Sequence, residues 1–232
     1  MNFLAHLSLL TAYDIGALCF LLLALPVTGW LIEHPPAFRP SVTIIMSENR
    51  RKWMRVFVGR EPRIFDSQIM SSLRQGTSFF ASTCILAIGG VLALISNTEP
   101  LRGVAVDVGA MDMPVILLQV KLAVVALLLT NGFLKFVWAN RVFGYCAVMM
   151  SAVPNDAKDP TAPHIAGQAA ELNIRAAINF NRGLRSLYFA LGALAWLIGA
   201  SSLIIATSVV IWTVMSREFA SIPRDILLRS QP

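Results

Sequence analysis

Two ionisable side chains lie inside long apolar stretches of this sequence, where a charge is costly and indicates pairing or function. Asp14 lies near the start of the first stretch, and Lys121 follows Pro114 in a later one. Each lies about seven residues inward, so at 1.5 Å per residue both would be about 10 Å deep in a membrane. Three interpretations are open. They are an ion pair that locks two helices, a Lys121 that extends to the headgroups while Asp14 caps its helix or meets interfacial water, and an ion or proton pathway.

Asn131 and Lys135 lie in the same later stretch, on one face of a helix because they are four residues apart. Together with Lys121 they form a polar stripe, which is a candidate lining for a path that attracts anions. The competing interpretation is that these side chains contact other helices and that Lys135 extends toward the inner membrane surface.

Further polar residues are predicted to lie at the inner membrane surface. A basic cluster beside the membrane would gain roughly 1 kcal/mol per charge from an anionic leaflet, and it comprises Arg50, Arg51, Lys52 and Arg55. Anionic lipid is the expected contact, and a cytoplasmic partner is the alternative. A second set is a candidate interface cluster that could act on lipid: Asp66, Gln68, Arg182, Arg185 and Tyr188.

Common catalytic and cofactor signatures are missing from the sequence, including Gly-x-Ser-x-Gly, His-Glu-x-x-His, the P-loop and Gly-x-Gly-x-x-Gly. The histidines are isolated, and the two that remain candidates for haem ligation, His6 and His164, lie outside the apolar stretches. The three cysteines are widely spaced and are expected to be small packing residues. We therefore predict no catalytic, cofactor-binding or metal-binding residue.

The composition indicates a membrane protein. Of the 232 residues, 56% are hydrophobic and 14% are charged, and the mean hydropathy is +0.66, whereas soluble domains carry about 25% charged residues. Inside a bilayer the backbone polar groups must be satisfied within the protein, and continuous apolar runs then select helices. The net charge of +6 is interpreted as a signal of topology and anionic-lipid contact, and nucleic acid is not an expected partner.

Four apolar stretches are long enough to cross the hydrocarbon, which takes about 20 residues. They are residues 7–32, 76–96, 114–139 and 184–215. The prediction is an all-α integral membrane protein, with one transmembrane domain over residues 1–232. The first residues carry no Lys or Arg and precede an apolar stretch that is too long for a signal-peptide core, so we expect a retained anchor.

Lys and Arg are concentrated in the loops after the first and third stretches, whereas the loop after the second carries Arg102 alone. The basic loops are therefore expected in the cytoplasm, with the protein in the inner (plasma) membrane and both termini outside. The C-terminal tail contains Arg217, Arg224 and Arg229. This positive charge argues against an outside position for the C-terminus. Residues 36–75 and 140–183 are predicted to form a cytoplasmic helical layer, interrupted by a mobile Pro-rich linker at 154–163.

Small residues recur every seven positions in two of the predicted spans. Gly76, Thr83 and Gly90 do so in the second, and Gly192 and Gly199 do so in the fourth. Small residues let membrane helices approach closely and associate. They indicate either an oligomer interface or packing within one chain, and the spacing does not choose between the two.

Several stretches are characteristic as a set. They are Arg51 to Met54, Pro62 to Ile69, Gly76 to Thr83 with Gly89 and Gly90, Lys135 to Trp138, Arg141 to Cys146, and Phe180 to Leu191 with Trp196. Over nearly the whole chain they resemble the domain-of-unknown-function 599 family of multi-pass membrane proteins from bacteria and plants. The resemblance implies this length and layout, with charged residues at the positions of Asp14, Lys121 and Lys135. Gly144 and the linker at 154–163 depart from the family pattern, and the family implies no activity.

The expected function is that of a non-catalytic membrane protein, acting as a scaffold, an accessory subunit or a self-associating assembly with a basic cytoplasmic face. Its expected partners are anionic lipids and either further copies of the chain or a membrane complex. The alternative is a homo-oligomeric ion channel or small transporter that uses the polar residues of the first and third spans. An enzyme acting on lipid through the interface cluster is the third hypothesis.

Overall fold

The computed structural model of the protein describes residues 10–97 and 114–229. All regular secondary structure in these residues is helical, and they contain no strand. The helices are α1 (Ala12–Glu33), α2 (Val42–Val58), α3 (Ile64–Ser96), α4 (Val115–Ser151), α5 (Ala162–Leu194), a 3-10 turn (Ala195–Leu197), α6 (Ala200–Phe219) and α7 (Ile222–Arg229). The all-α prediction is confirmed.

Four segments are long and apolar enough to cross a membrane, as predicted: Ala12–Glu33, Ile64–Ser96, Val115–Ser151 and Ala200–Arg229. The second begins earlier than residue 76, because the cytoplasmic helix that the sequence predicts there continues into it without a break. The third continues past residue 139 to Ser151. The start of the predicted first span, Arg102 and the loop that contains it lie outside the described residues.

The fourth predicted span, residues 184–215, is two antiparallel helices rather than one. Helix α5 ends at Leu194, and α6 begins at Ala200 after the short turn. The two helices then run side by side, because Arg217 Nη1 donates to the Tyr188 hydroxyl at 2.8 Å and Gly192 packs against Val210. The turn contains neither a charged residue nor a proline, so the sequence stays apolar across it and hydropathy alone does not reveal the chain reversal.

This turn returns α6 and α7 to the end of the bundle that carries the first basic loop. Glu218 Oε2 accepts a hydrogen bond from the Thr43 backbone N–H at 2.9 Å, and Arg224 Nε donates to the Pro40 carbonyl at 3.0 Å. Tyr13, near the start of α1, instead approaches Ser201 at the opposite end. The described start of α1 and the C-terminal helix α7 therefore lie at opposite ends of the bundle.

Helices α4 and α5 form the long antiparallel hairpin at the centre of the fold. With 37 residues, α4 is about 55 Å long and extends well beyond a hydrocarbon core of about 30 Å. The two backbones meet at Gly132 and Gly183. A Cβ on Gly132 would lie 3.4 Å from the Gly183 carbonyl oxygen, and a Cβ on Gly183 would lie 2.7 Å from Phe136 Cε1. Glycine is what permits this approach.

Helix α2 packs against the first half of α5, where Arg50 contacts Asn173 and Arg51 contacts Glu171. Ser41 caps α2 and also donates to the Ile32 carbonyl at 2.7 Å. The buried apolar residues of α2 are Ile45, Met54 and Phe57, whereas Val56 is exposed.

The first residues of the predicted linker are tied to the loop before α3 by Arg63. Its guanidinium donates to the carbonyls of Val153 and Pro154, each at 2.8 Å, and to that of Val58 at 3.1 Å. The same group lies 4.6 Å from the Phe57 ring centroid. One arginine therefore joins the ends of α2 and α4.

Replacement of Gly183 by alanine is expected to destabilise the protein by about 1–3 kcal/mol, as overpacking of a tight contact does, because Phe136 would have to move. Gly167→Ala, in the same helix, is the control, since a Cβ there meets nothing within 4 Å. Thermal unfolding of the purified protein measures both. Equal midpoints for the two variants would contradict the importance of the Gly183 contact.

Candidate functional site

A partly buried polar network joins Asp14 and Lys121 through Trp196. The Trp196 indole N–H donates to Asp14 Oδ1 at 2.8 Å, and Lys121 Nζ donates to the Trp196 carbonyl at 2.9 Å. Lys121 is 2% exposed, and its ammonium lies 5.4 Å from the Trp196 ring centroid. Asp14 also completes a capping box with Thr11 at the start of α1. The network joins α1, α4 and the turn after α5.

These contacts bear on the interpretation in which Lys121 extends to the headgroups while Asp14 caps its helix. Lys121 does not extend toward the headgroups, since its side chain is enclosed. The two charges interact electrostatically, but the indole and the carbonyl of Trp196 form the hydrogen bonds that connect them. Sequence reasoning missed the role of Trp196, although a buried indole N–H generally needs an acceptor.

A second polar group, at the other end of α1, centres on Glu33. Its carboxylate accepts from Arg182 Nε at 2.9 Å and from Arg185 Nη2 at 2.7 Å. The Arg185 side chain is 6% exposed and that of Glu33 is 11% exposed, against 44% for Arg182. Sequence reasoning saw in Glu33 only the end of a span, because its partners lie far away along the chain.

The two remaining residues of the predicted polar stripe, Asn131 and Lys135, differ in their contacts. Asn131 Nδ2 donates to Ser186 Oγ at 2.9 Å, and that hydroxyl donates to the Leu128 carbonyl at 2.9 Å. Lys135 lies one turn further on and lines a cavity of about 350 Å³ between α1, α4 and α5. We call it the inner cationic cavity, and its polar lining is Glu33, His34, Asn131, Lys135, Arg182 and Arg185.

The predicted interface cluster does not form a single group. Asp66 is fully buried and accepts hydrogen bonds from Trp53 Nε1 and Arg60 Nη1 at 2.5 Å. Arg182 and Arg185 bind Glu33 instead, and Tyr188 binds Arg217. Gln68 is exposed on α3. The geometry thus gives no convergent set for chemistry on lipid.

The basic cluster on α2 is divided between the interior and the surface. The guanidinium of Arg50 binds Asn173 Oδ1, and burial lowers the pKa of Arg50. Arg51 binds Glu171 and Glu48, and the hydrogen bond to Glu171 chiefly raises the pKa of Arg51. Lys52 and Arg55 are exposed and remain available to a lipid surface or a partner.

Helix α3 carries the most open membrane-level surface of the described spans. Only 11% of its most apolar 18-residue window is buried, against 44% for α4. Met70, Thr77, Cys84 and Val91 face α4 and are buried, whereas Gly76, Thr83 and Gly90, each one position earlier, are exposed. A Cβ on Gly76 or Gly90 would meet nothing within 4 Å.

A polar groove of about 820 Å³ runs beside this surface, between α3 and α4. Hydroxyl and amide groups line it from both helices: Ser67, Ser71, Gln75, Ser78, Ser82 and Asn140. Asn140 Nδ2 donates to Ser78 Oγ at 3.3 Å. Its Oδ1 is buried and has no hydrogen-bond partner among the described residues. The groove therefore offers unused polar capacity next to the open face of α3.

Within residues 10–97 and 114–229, no group of three or more His, Cys, Asp or Glu side chains could hold a metal ion. Cys84 and Cys146 are buried packing residues, whereas Cys19 is exposed on α1. The packing role predicted for the cysteines therefore fits Cys84 and Cys146 within this chain.

Replacement of Glu33 by glutamine is expected to cost about 3 kcal/mol of stability, as removal of one partner from a buried ion pair does, since Arg185 would keep a buried charge. Glu48→Gln is the matched control. Glu48 pairs with Arg51 at an exposed position, where an ion pair contributes less than about 1 kcal/mol. Chemical unfolding in detergent compares the variants. Similar losses of unfolding free energy would contradict a stabilising role for the contacts of Glu33 with Arg182 and Arg185.

Comparison with protein families places the chain. The family described as "Protein of unknown function, DUF599" matches residues 16–223, and the chain belongs to this family. Comparisons with curated proteins and with solved structures found no significant match.

Proposed function

We propose that this DUF599 protein is a non-catalytic membrane protein that self-associates through α3 and acts as a scaffold or accessory subunit. The observation that carries the proposal is the open face of α3, where Gly76, Thr83 and Gly90 lie without a neighbouring helix. Their spacing of seven residues keeps them on one side of a helix that crosses a partner at about 20°.

The small residues elsewhere in the chain support this interpretation. Gly132, Gly183 and Gly192 each lie against another helix, with close contacts to Ser186, Phe136 and Val210 respectively. These three glycines of α4 and α5 therefore lie where two helices pack closely. On α3 the same residue type faces outward, which favours a second copy of the chain as the missing neighbour.

The polar groove gives independent support for association at this place. Where the groove reaches the predicted span, at Ser78 and Ser82, exposed hydroxyls next to lipid lack water as a partner. A second copy placed against α3 would cover the groove edge and could supply donors. The intermolecular contact would then combine small-residue packing with polar contacts.

A homo-oligomeric channel receives less support. It requires the polar residues of the spans to line a path, whereas Lys121 and Asn131 are engaged in contacts that join helices. Lys135 is the exception, and its surroundings are those of a bounded cavity with a carboxylate and two guanidinium groups. The first two residues are better explained as intramembrane locks.

For sidedness, we propose an inner-membrane protein in which α5 crosses the membrane in addition to the four segments named above. Both basic loops, α2, the end of α6 and α7 then lie on the cytoplasmic side. The contacts of Glu218 and Arg224 with the first basic loop support this arrangement. Arg217, Arg224 and Arg229 then add to the cytoplasmic positive charge instead of opposing it. Lys52 and Arg55 would face anionic lipid or a partner from the same side.

The association is tested with the double variant Gly76→Ile/Gly90→Ile, whose branched side chains would hold the two helices apart. Counting of photobleaching steps in lipid nanodiscs should show an oligomer for the natural protein and a shift to monomer for the variant. Gly16→Ile is the control, because Gly16 is an equally open glycine on α1. A strictly monomeric natural protein, or an oligomer insensitive to the double variant, would refute the proposal.

Sidedness is tested by cysteine labelling in a Cys19→Ala background, since Cys84 and Cys146 are buried. In intact bacterial cells, a membrane-impermeant maleimide should label Asn97→Cys, at the exposed end of α3, but not Arg229→Cys, at the exposed end of α7. After permeabilisation both should react. Labelling of Arg229→Cys in intact cells would place the C-terminal helix outside.

A further inference from the structure

We infer that the inner cationic cavity binds the phosphate group of an anionic ligand, supplied either by a lipid headgroup or by a soluble phosphate monoester. The cavity holds about 350 Å³, which lies within the range of small-ligand sites, roughly 300–1,000 Å³. Lys135, Arg182 and Arg185 line it from two helices, and α1 closes the third side with Glu33, which pairs with both arginines.

The positive charge of this cavity exceeds its negative charge. Glu33 is the carboxylate of its lining, and Glu218 is a second carboxylate that acts electrostatically on Arg185. Three cationic side chains therefore face two carboxylates. Lys135 forms no hydrogen bond or ion pair with any residue in the described part of the chain. Its ammonium thus keeps three N–H donors for a ligand.

The two arginines also keep donors after binding Glu33. Arg182 uses Nε and Nη2, and Arg185 uses Nη2, whereas each guanidinium carries five N–H donors. Guanidinium groups present a planar fork that suits phosphate oxygens, and an ammonium adds a compact point charge. A group with several anionic oxygens could therefore bridge Lys135 and the arginines, which are already oriented by Glu33.

The position of the cavity suits a phosphate at the membrane boundary. Lys135 lies 20 positions after Val115, where α4 begins, so it is about 30 Å along the helix, close to the thickness of the hydrocarbon core. Trp30 lines the cavity and is 61% exposed, as aromatic residues at membrane interfaces are.

The remaining walls are apolar and lie deeper along α1. Leu25 and Pro26 line the cavity and precede Glu33 by about two turns, which is about 12 Å of helix. A ligand with its phosphate at the arginines could therefore extend an apolar part along α1 toward the bundle centre. This favours an amphipathic ligand, while a small phosphate monoester would fill the cationic end alone.

The test uses the full chain in neutral detergent and native mass spectrometry. The lipid arm compares phosphatidylglycerol with phosphatidylcholine, and the soluble arm uses glycerol 3-phosphate. The natural protein should retain phosphatidylglycerol over phosphatidylcholine. Lys135→Gln should weaken retention on the order of tenfold, as loss of one charge-assisted hydrogen bond does. Lys158→Gln is the matched control, because Lys158 lies exposed in the loop before α5.

The two arms identify the source of the phosphate. Retention of phosphatidylglycerol that excess glycerol 3-phosphate does not displace supports a lipid ligand. Binding of glycerol 3-phosphate by itself, weakened by Lys135→Gln, supports a soluble one. The inference is overturned if neither probe is preferred over phosphatidylcholine, or if Lys135→Gln and Lys158→Gln behave alike. Unchanged thermal unfolding shows that Lys135→Gln is folded, and the outcome is independent of association because the cavity lies away from α3.

Discussion

The close approach of α4 and α5 at Gly132 and Gly183 is the contact on which the rest of the fold depends. Lipid removes the hydrophobic drive between helices, so close van der Waals packing has to supply much of the association energy. Once the backbones meet, Asn131 reaches Ser186 on one side of the contact, and Phe136 stacks on Phe80 and meets Phe180 edge-on beside it. Further along the hairpin, Lys121 reaches the turn at Trp196.

The hairpin then holds α1 by polar contacts at two levels. Near its start, Asp14 binds the Trp196 indole, and at its end Glu33 binds Arg182 and Arg185. Charges in hydrocarbon are costly unless satisfied, so each pairing favours one register of α1 against α5. Lys135 is unusual in this respect, since its charge lies near the level of Glu33 but has no partner among the described residues.

Hydropathy was sufficient to predict the class of protein, the positions of three of the apolar helices and the presence of helices between them. It failed at the turn after Leu194, because chain reversal there is made by Trp196 and Gly199 inside a stretch that stays apolar throughout. It also could not predict which charges pair. Glu33 with Arg182 and Arg50 with Asn173 join residues far apart in sequence, and such partners follow from packing rather than from local spacing.

The contact between Thr43 and Glu218 has a consequence for the order in which the molecule can assemble. The two residues are 175 positions apart, and the carboxylate occupies the amino end of α2, where it satisfies a backbone donor and complements the helix dipole. A ribosome completes α2 long before it reaches residue 218. During synthesis the amino end of α2 therefore lacks this carboxylate until the last helices of the chain have been made.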